Sequence, residues 1–190
     1  MPQTIYGGKD FARQFGVVRN NTVQIAEDIP ESKYSFVPAP GSRTVAALLT
    51  HIAVSPRMWF EVHGKQRVET LVGFDFVKLS SDVRAEELRS RSKAEILDLL
   101  RSEGEIFTGW LDTQTPEFLA EMVTVADNTG TKSRFEQLLG AKEHEMHHRG
   151  QLMLVERQLG IVPHLTRQAE ERAQSPPEIS SAKLPSNSKQ

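Results

Sequence analysis

Residues 142–152, KEHEMHHRGQL, bring three imidazoles and two carboxylates into three turns of a would-be helix. Imidazole is the commonest protein ligand for a divalent metal, and a carboxylate can serve as a general base. His144-Glu145-Met146-His147-His148 fits the H-E-x-x-H pattern of zinc proteases, in which two histidines hold the ion and the glutamate activates water. A helix turns by about 100° per residue, so His144 and His148 lie about 40° apart on successive turns and can grip one ion. His147 points away and reads as a solvated or second-layer residue. Glu145 is a general base only if it turns toward that ion. Its structural reading is a salt bridge to Arg149 at the four-residue spacing.

A zinc protease also needs a third ligand. The metzincin form would place Gly where Gln151 stands and His where Leu154 stands, and neither is present. Another class takes a downstream glutamate, but Glu170 and Glu171 fall where the chain turns rich in Pro and Ser. Lys142 and Glu143 are charged where those enzymes bury the helix, so a protease is not expected.

Upstream, Ala47, Leu48, Val54, Met58 and Val62 form an apolar stripe at helical spacing, and His51 sits among them. A lone histidine on such a face is ordinarily a core residue satisfied by hydrogen bonds. Three inward imidazoles on two helices are costlier, because each ring nitrogen needs a donor or acceptor. A divalent ion would satisfy three nitrogens at once. The pattern leaves two readings open: a metal site built from His51, His144 and His148, or a set of structural histidines. His63 and His164 lie near helix ends and read as surface or capping residues.

Four long helices must position these groups. The first is expected over residues 9–27, with Phe11, Phe15, Val18, Val23 and Ile25 apolar, and Pro30 beyond its end. The second spans 44–63, with a kink at Pro56. Residues 66–90 read as an ordered loop, with a short helical turn at SDVRAEEL. The third helix, 92–112, opens on a Ser92/Glu95 capping box and carries Ile96, Leu99, Leu100, Ile106 and Phe107. Alternation around Asn128-Thr129-Gly130 predicts a short β-hairpin before the fourth helix, 133–159, which Gly160 and Pro163 close. The expected fold is all-α, an antiparallel four-helix bundle over residues 1–167, with residues 168–190 a flexible Pro/Ser-rich tail.

HEMHHRGQL and LVERQLGIVP, taken with LLTHIAVSPRMWF upstream, resemble the DinB superfamily of four-helix bundles over roughly residues 8–165. Its recurring features are a histidine on the second helix, an aromatic two turns later, and H-x-x-x-H-R-G-Q on the fourth. Here these match His51 with Trp59, then His144 and His148-Arg149-Gly150-Gln151. The resemblance implies an up-down-down-up arrangement and a homodimer. It also implies three histidines holding nickel or zinc, with open positions for water or substrate. Relatives of this kind include transferases and an isomerase that depend on low-molecular-weight thiols such as bacillithiol or mycothiol. The chain departs from the family's Gly-x-x-Pro-Pro at Gly160-Ile161-Val162-Pro163-His164, and the Pro/Ser tail is not a family feature.

A three-histidine site keeps the full charge of its ion and would lower the pKa of bound water or bound thiol. With no cysteine in the chain, a thiol nucleophile must arrive as a cosubstrate. The expected function is a metal-dependent S-transferase or hydrolase acting on a small molecule. The alternative is a non-catalytic, stress-associated protein that binds a metal or small ligand. Arg149 is a candidate for orienting an anionic substrate, Trp59 for walling the pocket, Gln151 for a hydrogen bond across helices, and Gly150 for close helix approach. In 190 residues the formal charge is −2 with both signs interspersed, so no phosphate-binding surface and no nucleic-acid partner is expected. No apolar run is long enough to span a bilayer and no signal peptide is evident, so the expected location is cytoplasmic, away from membranes.

Overall fold

A computed structural model describes residues 6–174. Side-chain caps start most of its helices. Asp10 accepts from the Gly7 N–H at the head of α1 (Gly8–Asp28), and Thr44 accepts from the Ala47 N–H at the head of α2 (Val45–Val54). Ser55 interrupts the rod, and α3 (Pro56–Trp59) restarts it with proline in the first turn, where no N–H is needed. A π-helical turn, Phe60–Lys65, follows, with Gln66 N–H reaching Glu61 O at 2.9 Å.

Residues 66–90, expected as an ordered loop with a short helical turn at 81–88, keep that turn as the end of a longer helix. They hold a three-turn helix, α4 (Phe76–Glu87), capped by Asp75. Only Val83 of this helix is buried, so its apolar signal in the sequence is thin. Next come α5 (Lys93–Asp112), with the Ser92/Glu95 capping box in place, and the short α6 (Pro116–Ala120). The predicted hairpin is present as β1 (Met122–Thr124) paired antiparallel with β2 (Thr131–Ser133). Then α7 (Arg134–Gln158) ends at Gly160, whose φ of 78° suits glycine. A last helix, α8 (His164–Gln174), crosses the boundary expected at Arg167; residues 175–190 lie outside the described residues. Ile106, expected in the core, is 58% exposed.

Contacts fix the directions of the four long rods. A Cβ at Gly8 would lie 2.5–2.6 Å from the carbonyl oxygens of Gln114 and Leu111, while Lys93 Nζ donates to Glu27 O and Ile29 O. The head of α1 therefore meets the tail of α5, and the two run antiparallel. Phe11 packs on Phe135 and Arg19 binds Glu145, so α1 and α7 run parallel. His51 meets His148 while Trp59 meets Gly140, so α2–α3 and α7 run antiparallel. The bundle is up-down-down-up, and the parallel step from α2–α3 to α5 uses the long crossing that contains α4.

Two apolar clusters fill the interior. One gathers Phe11, Phe15, Phe107, Leu111 and Leu138; the other gathers Ile25, Leu49, Ile52, Leu100 and Leu152. Between them lies a buried ion pair. Arg19 Nε donates to both Glu145 oxygens at 3.0 and 3.1 Å, and its terminal nitrogen to Oε2 at 2.9 Å. Thr22 Oγ1 donates to Glu145 Oε1 at 2.8 Å. The guanidinium also reaches Leu100 O at 2.7 Å and Ile52 O at 3.2 Å. Ile52 O can accept because its helical partner four residues on is Pro56, which has no N–H. Gly104 makes room, since a Cβ there would lie 2.8 Å from the Arg19 stem. Glu145 thus pairs across helices rather than with Arg149, as the local spacing had suggested.

Removing one partner of the pair strands the other, so Glu145→Ala should lower unfolding free energy by about 3–5 kcal/mol in chemical denaturation. Glu156 is fully buried on α7, with no hydrogen-bond partner for either oxygen among the described residues. Burial, with Asp28 nearby, pushes its pKa up to about 7 from an ordinary 4.5. A raised carboxyl pKa gives stability that is complete below the unfolded value and lost as pH rises through the folded one. Glu156→Gln should therefore gain on wild type between about pH 4.5 and 7 and hold that advantage above. A difference in Tm between the two that does not change with pH would contradict this.

Candidate metal centre

The Arg19–Glu145 layer sits one residue along the chain from two of the candidate ligands. Pinning Glu145 inward sets the rotation of α7, which turns His144 and His148 toward α2. Pinning Ile52 O does the same for His51. The three rings meet: the centroid of His51 lies 4.9 Å from that of His144 and 4.8 Å from that of His148, and those two lie 4.5 Å apart. His144 Nε2 is 3.1 Å from His51 Nε2 and 3.2 Å from His148 Nε2, and the three candidate ligand atoms all lie within 4.8 Å of one another.

Ordinary hydrogen bonding explains this poorly. His51 Nδ1 lies 2.8 Å from Glu87 Oε1, an acceptor, so that nitrogen carries the proton. His148 Nδ1 lies 2.9 Å from Gln151 Oε1 and is likewise protonated. In their neutral forms both rings then present bare Nε2 lone pairs to the same space as His144. An ion held at about 2.0–2.1 Å from each nitrogen separates them by about 2.9 Å at a right angle and about 3.4 Å in a tetrahedron. Both contacts made by His144 fall in that range. The donor set suits a divalent transition metal, with coordination positions to spare, once the His51–His148 pair, which lies within 4.8 Å, closes around the ion.

Electrostatics agree. Burial lowers the pKa of all three histidines, to about 4 for His144, where its two partner rings add to the effect. Neutral imidazole is the ligand form. Burial would raise Glu87, but hydrogen bonds from Arg43 (2.7 Å) and His51 outweigh it and keep the carboxylate ionised. A carboxylate on the far nitrogen fixes tautomer and ring orientation, as it does behind many metal-bound histidines. Glu87 falls within the short helical turn expected at residues 81–88, but that turn alone does not mark it as a partner of His51. Leu79, Val83 and Phe76 at helical spacing behind Asp75 were the signal available.

Other candidates land differently. Trp59 lies against His144, with centroids 5.6 Å apart, and its indole Nε1 is 3.5 Å from where a Gly140 Cβ would be. Gln151 serves its own helix, bridging His148 to the exposed His147, instead of crossing to another. Gly150 faces open space and allows no close approach. Arg149 is half-buried on another face of α7, its Nε without a partner among the described residues. His63 and His164 are buried rather than superficial: His63 Nδ1 meets Arg134 at 3.2 Å, and His164 Nε2 meets Asn21 at 3.1 Å. Glu145, with both oxygens engaged by Arg19 and one also by Thr22, offers no general base, which removes the protease reading.

An all-α up-down-down-up bundle with three histidines converging from its second and fourth long rods defines a known class. The chain belongs to the DinB superfamily, whose sequence profile matches residues 14–152. It is 26% identical over 143 residues to the uncharacterized protein YjoA of Bacillus subtilis (strain 168), covering 75% of this chain and 84% of that protein. The crystal structure of YjoA, described as DinB-like, aligns with a TM-score of 0.58 at 23% identity, over 78% of this chain and 90% of that one. YfiT from Bacillus subtilis, described as a probable metal-dependent hydrolase with an unusual four-helix bundle topology, aligns with a TM-score of 0.63 at 16% identity, over 85% and 94%. A DinB-like protein from Bacillus cereus gives a TM-score of 0.62 at 21% identity, over 86% and 97%. At these identities the structures share the fold.

If Glu87 orients His51 for a metal, Glu87→Gln should weaken divalent-ion affinity by about 10- to 100-fold in competition with a chromophoric chelator. An unchanged affinity in a folded variant would refute that role.

Proposed function

We propose that this protein is a metal-dependent hydrolase acting on a small molecule, with nickel or zinc held by His51, His144 and His148. The observation that carries the reading is the convergence of three Nε2 atoms, with the far nitrogens of His51 and His148 oriented by Glu87 and Gln151. The likeness in fold to YfiT supports it. When bound, such an ion supplies polarisation of a carbonyl-type oxygen and acidification of water or a thiol.

The chain's own residues do the rest. Glu87 is committed to His51 and Arg43, and Glu145 to Arg19, so neither carboxylate is free to move protons beside the histidines. Trp59 shields one side of His144. A cavity of about 800 Å³ opens on His51 and His148 and admits a substrate of ordinary metabolite size. That volume also accommodates a low-molecular-weight thiol beside an electrophile, which favours thiol transfer as the second reading. In a chain without cysteine, the sulfur nucleophile would then come wholly from the cosubstrate.

Elemental analysis of purified protein should find about one divalent ion per chain, and His51→Ala should lose it together with turnover of activated esters. Retention of stoichiometric metal by the variant would remove His51 as a necessary ligand. Metal-loaded protein that turns over neither esters nor thiol-acceptor pairs would leave a binding role in place of a catalytic one.

A further inference from the structure

The cavity beside the histidine cluster has a mixed lining. Leu48, Met58, Val83 and Val155 are its apolar part, joined by Leu154, which is 60% exposed. Arg43, Glu87 and Arg84 are its charged part. Arg43 is neutralised by Glu87 at 2.7 Å. Arg84 makes no ion pair and no side-chain hydrogen bond among the described residues. Elsewhere on and after α4 such charges are matched: Lys78 pairs with Asp82, and Arg89 and Arg91 with Glu86. Arg84 lies one helical turn before Glu87, the residue that touches His51.

Resting on the hydrolase reading above, the geometry points to a substrate that carries an oxyanion separate from its reacting group, joined to it by an apolar segment. Arg84 receives the oxyanion, the aliphatic wall takes the segment, and the reacting end reaches His51 and His148. An unpaired guanidinium suits this role, because its planar fork matches a carboxylate or phosphate and is weakly hydrated for a cation. Among the described residues Arg84 is the one side-chain cation of the cavity wall without an ionic partner, and a neutral substrate would leave it so. The class is therefore small organic acids or phosphate monoesters bearing a second, hydrolysable group.

The test compares two activated esters on metal-loaded protein: the monoanionic mono-4-nitrophenyl glutarate and the neutral 4-nitrophenyl butyrate. Wild type should prefer the anionic ester in kcat/KM. Arg84 is an exposed side chain, so its pairing is solvent-screened, and Arg84→Gln should reduce that preference by about two- to fivefold, mainly through KM. High salt should erode the wild-type preference in the same direction. Arg89→Gln, a charge change outside the cavity, should leave the ratio alone. Equal ratios in wild type and Arg84→Gln would overturn the assignment. If neither ester is turned over, the hydrolase reading fails separately, and calorimetric titration with glutarate and with butyl phosphate then decides. Weaker binding of either anion by Arg84→Gln supports the site, and equal binding of both overturns it.

Discussion

The buried pairing of Arg19 with Glu145 is the constraint on which the rest of the structure depends. An ionised pair in a helical core costs several kcal/mol of lost hydration per ion and is tolerated only when nearly every donor and acceptor is met. Here one guanidinium touches α2, α5 and α7 from its seat on α1, so four rods share a single level. Apolar packing alone would let α7 rotate by some tens of degrees at modest cost, because hydrophobic contact is non-directional. A charged, hydrogen-bonded clamp does not. Its position beside His51 and His144 in the chain makes the angular precision of the fold available to the site.

The site in turn depends on an element outside the four rods. Glu87 comes from α4, the helix in the long crossing, and carries both the acceptor that orients His51 and the counter-charge for Arg43. The same helix walls the cavity. One short segment therefore combines ligand orientation, charge balance and substrate access, which accounts for a helix that buries only one of its own side chains.

Much of this was legible in the sequence. The four rods follow from apolar periodicity and the hairpin from alternation around Asn128-Thr129-Gly130, while the spacing of His144 and His148, with His51 on an apolar stripe, left the convergent triad as one of two open readings. What failed had a common physical cause. Local spacing offered Arg149 as the partner of Glu145, but burial favoured an arginine 126 positions away. His63 and His164 stand near helix ends that are covered by other elements, and nothing in their neighbours encodes that cover. Only the last part of α4 was legible, because three turns with one buried side chain give too little amphipathic contrast to outweigh a loop-like composition. Gly150 sits inside a recognisable motif yet faces solvent, so motif membership said nothing about packing.

The proline at position 56 has a reach beyond the helical turn it opens. By withholding a donor from Ile52, it leaves a carbonyl for the guanidinium of α1, and Gly104 of α5 vacates the space through which that guanidinium passes. Positions 19, 56 and 104 are thus an epistatic set: each residue type is tolerable because the other two are present. A lineage that replaced the proline with a residue bearing an amide proton would leave the arginine one acceptor short. Drift at any of the three sites is expected to be slow and correlated, although none adjoins another in sequence.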